Sequence, residues 1–437
     1  MSASMLQPTP LEQLIRKYIA PRHAGLLTRE IIEQYQLNQL HNVLAYCKKR
    51  SPFYKQHLSR STKKELTSLE DLHTLPFVTA QDIQDHGSDM LCVGQDDIAR
   101  IITMHSSGTT GAPKRLYFTD EDLQATLHFF YWGMQAIAQP GWKTAILLPG
   151  ATPDSTGDLL ARALRKFGVE PHIFGLVPEP EKILAELVRL KAEVIVGFPV
   201  QILALARLAE LRGTPLTNTR SILLCSDYIP YSLSAQLKEI LDCLLYSHYG
   251  TIETGLGGGV ECRALCGQHL RESDLLVEII DLQTRKPLQP GHVGEIVITT
   301  LTRRGMPLVR YRTGDQARLL PGSCPCGSSI ARLDKVMGRT SNQVVLANGE
   351  ILSMQLLDET LFILPGILDF AVTVNTTGVS EVINLTLTAP SQLQQKLTFQ
   401  AQELLSQLPQ LNQVAVKIAA NKHVRIASAK RIITDNR

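Results

Sequence analysis

His105-Ser106-Ser107-Gly108-Thr109-Thr110-Gly111-Ala112-Pro113-Lys114 is the stretch from which the rest of the chain is read. It places four hydroxyls, two glycines and a lysine within ten residues. Glycine lets the backbone turn tightly and approach a ligand closely. Successive exposed amides make an anion-binding concavity, and hydroxyls add donors around it. A lysine brings a mobile point charge to phosphate oxygens. Apolar Ile101-Ile102 precedes the stretch and a helix-like run from Asp120 follows it. The order Gly-x4-Gly-Lys-Ser/Thr is absent, so this is no Walker loop. The pattern predicts a polyphosphate cradle rather than a polar linker.

Working outward, the chain has 437 residues, 44% of them hydrophobic and 19% charged, with a net charge of +3. That length allows more than one domain. So small a charge argues against nucleic-acid and membrane surfaces as partners. No apolar run reaches membrane length, and Met1–Pro10 lacks the pattern of a secretory leader. The expectation is a cytoplasmic protein whose eight cysteines are reduced or metal-bound rather than paired. The oligomeric state stays open, with a homodimer among the options.

Residues 11–50 read as helical, and Leu75-Pro76-Phe77-Val78-Thr79 reads as a turn into another helix, with Thr79 as N-cap and Asp82 three places on. Beyond the loop, 120–138, 159–167, 181–190 and 202–211 read as helices. Residues 144–148, 194–196 and 222–225 read as short strands. This alternation predicts an α/β fold with parallel sheets. Residues 277–280, 294–300 and 308–311 read as strands of a β-rich subdomain. A break near Gly338-Arg339-Thr340-Ser341-Asn342 is followed by about a hundred residues with mixed helical and strand patterns, a normal size for an independent unit. The expected architecture is a large multi-layer domain over 1–340 and a small mobile α+β domain over 341–437. Cys47, Cys92, Cys225 and Cys243 lie in apolar runs and read as core.

The loop resembles the phosphate loop of the AMP-forming adenylating superfamily, which includes acyl- and aryl-CoA ligases, luciferases and peptide-synthetase adenylation domains. Further motifs carry the resemblance. Tyr249-Gly250-Thr251-Ile252-Glu253 resembles that family's Tyr-Gly-x-Thr-Glu, whose glutamate helps hold Mg²⁺; carboxylate oxygen suits that hard ion. Ile252 stands where the family has a hydroxyl residue. Ser226-Asp227-Tyr228 matches the segment lining the adenine pocket, with Tyr228 placed to stack there. Tyr311-Arg312-Thr313-Gly314-Asp315 matches the run whose aspartate accepts from the ribose hydroxyls, a task for an acceptor-only group. Arg339 matches an arginine that reaches the nucleotide, although Ser341 and Asn342 replace the acidic residues usual after it. Lys430 matches the terminal lysine that meets the acyl carboxylate and α-phosphate, with Ala429 replacing a glycine.

Cys324-Pro325-Cys326 presents two thiols in a tight turn, and Cys262–His269 offers a cysteine and a histidine. Closed Cys/His sets of this kind bind structural zinc. Phenylacetate–coenzyme A ligase relatives carry a similar Cys-x6-His and Cys-x-Cys set, which selects Cys262 over Cys266. With "SPFY" at 51–54 and Leu75-Pro76-Phe77, this points to the phenylacetate–coenzyme A ligase and coenzyme F390 synthetase-like branch.

The resemblance implies an ATP-dependent, AMP-forming ligase that joins a small carboxylic acid, aryl or arylacetic, to coenzyme A through an acyl-adenylate. Ser106, Ser107, Gly108, Thr109, Thr110, Gly111 and Lys114 would hold ATP, Glu253 would hold Mg²⁺, and Lys430 would promote adenylation before the small domain rotates near residue 341. Phe129, Phe130, Tyr131 and Trp132 offer an apolar pocket, but four neighbours on one helix cannot share a face. Two alternatives are an adenylylating enzyme with no coenzyme A step, and a non-catalytic, zinc-stabilised nucleotide-binding protein.

Overall fold

The structure, a computed structural model, describes residues 7–19, 27–62, 65–104, 113–339, 342–377, 380–421, 423–427 and 431–437. The packing divides the chain into two compact units. One comprises 1–137, 162–167 and 247–336; the other comprises 138–161, 168–246 and 337–437.

In the first unit, the helices Leu11–Ile19 and Arg29–Arg50 supply the expected helical N-terminal stretch. Thr79 caps Ala80–His86 in a reciprocal box with Asp82, as its spacing predicts. The strands Arg100–Met104 and Lys114–Phe118 pair antiparallel, with Met104 opposite Lys114. Residues 105–112, the phosphate loop itself, lie outside the described residues. Thr119 and Asp122 then form a capping box on the helix Asp120–Met134. Asp122 also accepts from the amides of Arg304 and Gly305 at 2.8 and 3.0 Å, so one side chain ties the helix to a distant turn.

The β-rich part is an antiparallel sheet of Leu275–Ile280, Gly294–Thr300 and Tyr311–Ala317. The strand expected over 308–311 begins only at Tyr311. Arg310 sits at φ +50°, a left-handed turn that no extended run can contain. Its buried guanidinium is held by Glu278 at 2.9 Å, by the carbonyls of His73 and Leu75, and against the Phe77 ring. A second, antiparallel ladder joins the end of Leu244–Tyr249 to Gly259–Glu261, Gln268–Leu270, Arg332–Leu333 and Leu319–Leu320.

In the second unit, Glu170–Ile173, Lys143–Leu147, Val194–Gly197 and Ser221–Leu224 form a parallel layer in that spatial order. The last three strands are buried along almost all of their length. Near-continuous apolar runs such as Val194-Ile195-Val196 are what a sheet covered on both faces requires. Residues 369–377, 380–388, 415–420 and 433–435 make a mixed four-stranded sheet. Its apolar side chains share one core with the helices Pro199–Leu211 and Tyr231–Leu241. Arg207 is buried in that core and donates to the carbonyls of Phe362 and Ile367. Cys47, Cys92 and Cys225 are buried as expected, whereas Cys243 is half-exposed. It directly follows Asp242, a left-handed helix cap at φ +41°, which turns the chain toward the surface.

Candidate functional site

The strand Tyr311–Ala317 alternates buried and half-buried positions along its length. Tyr311, Thr313 and Asp315 therefore point to the enclosed side. Gly314, at φ +75°, sits where the ladder to Gly294–Thr300 shifts register, a bulge that only glycine makes easily. The Tyr-Arg-Thr-Gly-Asp run is thus a bulged strand, not a surface turn. Its Arg312 pairs with Glu295 at 2.6 Å on the half-buried face.

Two motifs meet on the enclosed side. Tyr249 Oη lies 3.3 Å from Asp315 Oδ2, a buried contact between the Tyr-Gly-Thr-Ile-Glu stretch and the expected ribose carboxylate. Tyr311 donates to Glu253 Oε1 at 2.9 Å. Lys114 Nζ donates to the same carboxylate oxygen and lies 3.2 Å from the Tyr311 hydroxyl. Glu253 is 3% exposed. Burial pushes its carboxyl up, but the Lys114 ammonium and the surrounding bonds outweigh that and hold it at about 2. The site therefore presents an ionised, enclosed carboxylate, the donor type a hard divalent cation takes.

The turn carrying Glu253 is closed on itself. Thr251 N donates to Thr254 Oγ1 at 3.0 Å, and Thr254 N donates to Thr251 Oγ1 at 3.3 Å. Thr126 Oγ1 donates to the Gly255 carbonyl at 2.8 Å and Arg271 to the Thr254 carbonyl at 3.2 Å. Gly250 and Gly255 allow this tight path; a Cβ on Gly250 would fall 2.4 Å from the His248 ring. Phe129 and Phe130 are buried, with ring centres 5.8 and 6.4 Å from His248, while Tyr131 and Trp132 are half-exposed. The helix divides the four aromatics between two environments, as its geometry demands.

Of the other expected residues, Ser226, Asp227 and Tyr228 belong to the second unit. Ser226 adopts φ +71° just past the strand Ser221–Leu224. Tyr228 donates to Glu359 Oε1 at 2.6 Å. Glu359 also accepts the amides of Tyr231 and Ser232 at 2.8 and 2.9 Å, where its charge suits a helix N-terminus. The backbone of Arg339 lies in the short strand Gly338–Arg339. The side chain of Arg339, the phosphate-loop residues 106–111, Ser341 and Lys430 lie outside what the structure describes.

Cys262, His269, Cys324 and Cys326 are all buried, and their ligand atoms lie within 4.8 Å of one another. The Cys262 and Cys324 sulfurs are 3.7 Å apart, and Cys326 Sγ is 3.6 Å from His269 Nε2. Metal bonds of about 2.3 Å to sulfur and about 2.0 Å to nitrogen in a tetrahedron give edges of about 3.8 and 3.5 Å. The four donors fit a zinc ion, and 3.7 Å is far too long for a disulfide. Hydrogen bonds from Cys262 and His269 lower the pKa of the Cys326 thiol and favour its thiolate form. Cys266 lies outside this set, as the Cys-x6-His spacing requires.

The "AMP-binding enzyme" family model matches residues 24–302. A phenylacetate–coenzyme A ligase of Thermus thermophilus is 30% identical over 73% of each chain. This chain belongs to the AMP-binding enzyme family, in its phenylacetate–coenzyme A ligase-like branch. The Escherichia coli phenylacetate–coenzyme A ligase is 26% identical over 75% of this chain and 76% of its own. A crystal structure of 2-hydroxyisobutyryl-CoA ligase in a postadenylation state aligns with a TM-score of 0.77 at 17% identity, covering 97% of this chain and 92% of its own. A benzoate CoA ligase from Burkholderia xenovorans aligns with a TM-score of 0.53 at 16% identity, covering 78% and 68%. These likenesses establish the adenylating-ligase fold of the chain.

Sequence reading missed one residue of the site. Tyr311 lay inside a matched motif, yet only its aspartate drew a role. The strand's period of two was the available signal, since it puts Tyr311 and Asp315 on one face.

Proposed function

We propose that the protein works as the acid–coenzyme A ligase its family membership indicates, with an aryl or arylacetic acid as substrate. The observation that carries this reading is Glu253, a buried carboxylate kept ionised by Lys114 and set in a turn whose Tyr249 meets Asp315. In the first step a substrate carboxylate oxygen attacks the α-phosphorus of ATP and the bond to pyrophosphate breaks. Asp315 accepts from the ribose, and Lys114 and the loop 106–111 hold phosphate oxygens. Tyr228 and Arg339 serve the nucleotide. Mg²⁺ on Glu253 supplies charge neutralisation on the leaving phosphates when bound. Lys430 places a cation where charge develops, a contribution on the order of 10²–10³ in rate. In the second step the coenzyme A thiol attacks the acyl carbon and AMP leaves.

The rotation proposed near residue 341 has a defined cost. A moving 341–437 segment gives up the bonds of Arg207 to Phe362 and Ile367 and those of Glu359 to Tyr228, Tyr231 and Ser232. Zinc in the Cys262–His269–Cys324–Cys326 set is a structural proposal. Metal analysis of the purified protein should return one zinc per chain, and Cys324→Ser should abolish it.

A pyrophosphate-release screen over carboxylic acids, run with and without coenzyme A, tests the function. Free AMP with a thioester supports the ligase. A stable AMP adduct formed regardless of coenzyme A supports the adenylylating alternative instead. Background release across a broad panel restores the non-catalytic reading.

A further inference from the structure

Lys114, Glu253 and Tyr311 form a closed triad around one oxygen. Glu253 Oε1 takes a bond from the Lys114 ammonium and a second, at 2.9 Å, from the Tyr311 hydroxyl. The Tyr311 oxygen in turn accepts from Lys114 at 3.2 Å. The side chain of Glu253 is 4% exposed and that of Lys114 is 15%. A carboxylate so enclosed is costly without a cation beside it. The ammonium supplies one, and it is a compact charge on a flexible stem rather than a fixed fork. A divalent ion binding this carboxylate would sit within a few ångströms of the ammonium, and two cations so close repel each other.

Resting on the reading of Glu253 as the Mg²⁺ ligand, we infer that Lys114 is a placeholder cation whose occupancy makes divalent-metal binding dependent on nucleotide. The phosphates of ATP draw the ammonium off Glu253, and the metal takes its place. Tyr311 is the positioning residue of this exchange. Its single proton stays directed at Glu253 whether or not Lys114 is there, so the carboxylate keeps one fixed bond while its cation changes. The metal therefore enters with the nucleotide and not ahead of it.

Mn²⁺ is the probe, with free ion read by electron paramagnetic resonance in the presence and absence of a non-hydrolysable ATP analogue. The wild-type protein should bind Mn²⁺ at this site weakly without the analogue and far more tightly when it is present. Lys114→Gln should tighten nucleotide-free Mn²⁺ binding by about tenfold, the effect of one lost neighbouring charge. Lys114→Arg keeps the charge and should keep the dependence, which separates the charge effect from altered packing. Tyr311→Phe should weaken Mn²⁺ binding in both states while leaving the nucleotide dependence in place. Equal nucleotide-free Mn²⁺ binding by wild type and Lys114→Gln would overturn the inference. Glu253→Gln distinguishes that failure from a deeper one: if it binds Mn²⁺ with nucleotide as well as wild type does, the reading of Glu253 itself is wrong.

Discussion

Two buried ion clusters, one from each unit, differ in their cation. In the first unit, Lys114 sits on Glu253 with Tyr311 beside it. In the second, Arg431 pairs with Asp358 and lies 3.6 Å from Asp369. Its guanidinium stacks between the Phe362 and Phe370 rings, 5.0 and 4.8 Å from their centres. Asn342 donates to the Arg431 carbonyl at 3.0 Å. Asp369 also accepts from Ala427 N at 2.7 Å, so chain on both sides of residues 428–430 is fastened to one carboxylate. The planar fork is packed against two rings, whereas the lysine stem can swing. One cluster is built to stay and the other to exchange. The same charges thus serve architecture or chemistry according to how the cation is held.

The largest expected effect is on the locked cluster. Arg431→Met leaves two buried carboxylates without their cation and should cost about 3–5 kcal/mol. Urea unfolding followed at Trp142, with Trp132→Phe silencing the other tryptophan, reports on the second unit. No divalent ion should restore the loss. Asp358 gives a pH signature of similar size. Burial raises it, against the pull of Arg431, to about 7. Asp369 and Asp227 also face that single guanidinium and oppose release of the proton. The folded state thus binds a proton that the unfolded chain releases near pH 4. The stability this contributes is whole below about pH 4 and is lost as pH rises through about 7, by up to about 4 kcal/mol. Unfolding midpoints taken across that window should slope downward, and Asp358→Asn should flatten the slope.

Smaller effects belong to the exchangeable cluster. Lys114→Met should lose about 1–3 kcal/mol in the presence of a chelator, the cost of an unpaired buried group. Saturating Mn²⁺ should recover it. A loss that persists with the metal would put Lys114 in the same class as Arg431. Tyr311→Phe should cost about 1 kcal/mol, one hydrogen bond's worth, by urea unfolding followed at Trp132 of the first unit, with Trp142→Phe silencing the other tryptophan. If Tyr311→Phe matched Arg431→Met in cost, the distinction between the clusters would fail.

Much of the fold was legible because its signals are local. Thr79 and Asp82, and the buried run at 194–196, reflect capping and the period of a covered strand. The Cys/His set was legible from its donor types, with the family resemblance selecting Cys262 over Cys266; Cys324 and Cys326 share one turn, and Cys262 and His269 bracket a short hairpin. Arg310 was not, because a left-handed residue inside an apolar run is imposed by its buried partners. Asn342 read only as a departure from the family pattern. Its amide donates to the Arg431 carbonyl, which an aspartate, having no proton to give when ionised, cannot do.

With the family resemblance assigning the expected roles, the sequence alone established the donor types present: a Ser/Thr/Gly stretch ending in a lysine, carboxylates at Glu253 and Asp315, and three thiols with one imidazole. Residue type and short-range spacing are enough for that, because donor chemistry and local backbone preference travel with the residue. Only the tertiary structure decided which groups share an atom. That Lys114 and Tyr311 meet on one oxygen of Glu253, across separations of 139 and 58 positions, follows from how strands and a turn are packed. Contacts of such range depend on the whole fold, and no local pattern encodes them.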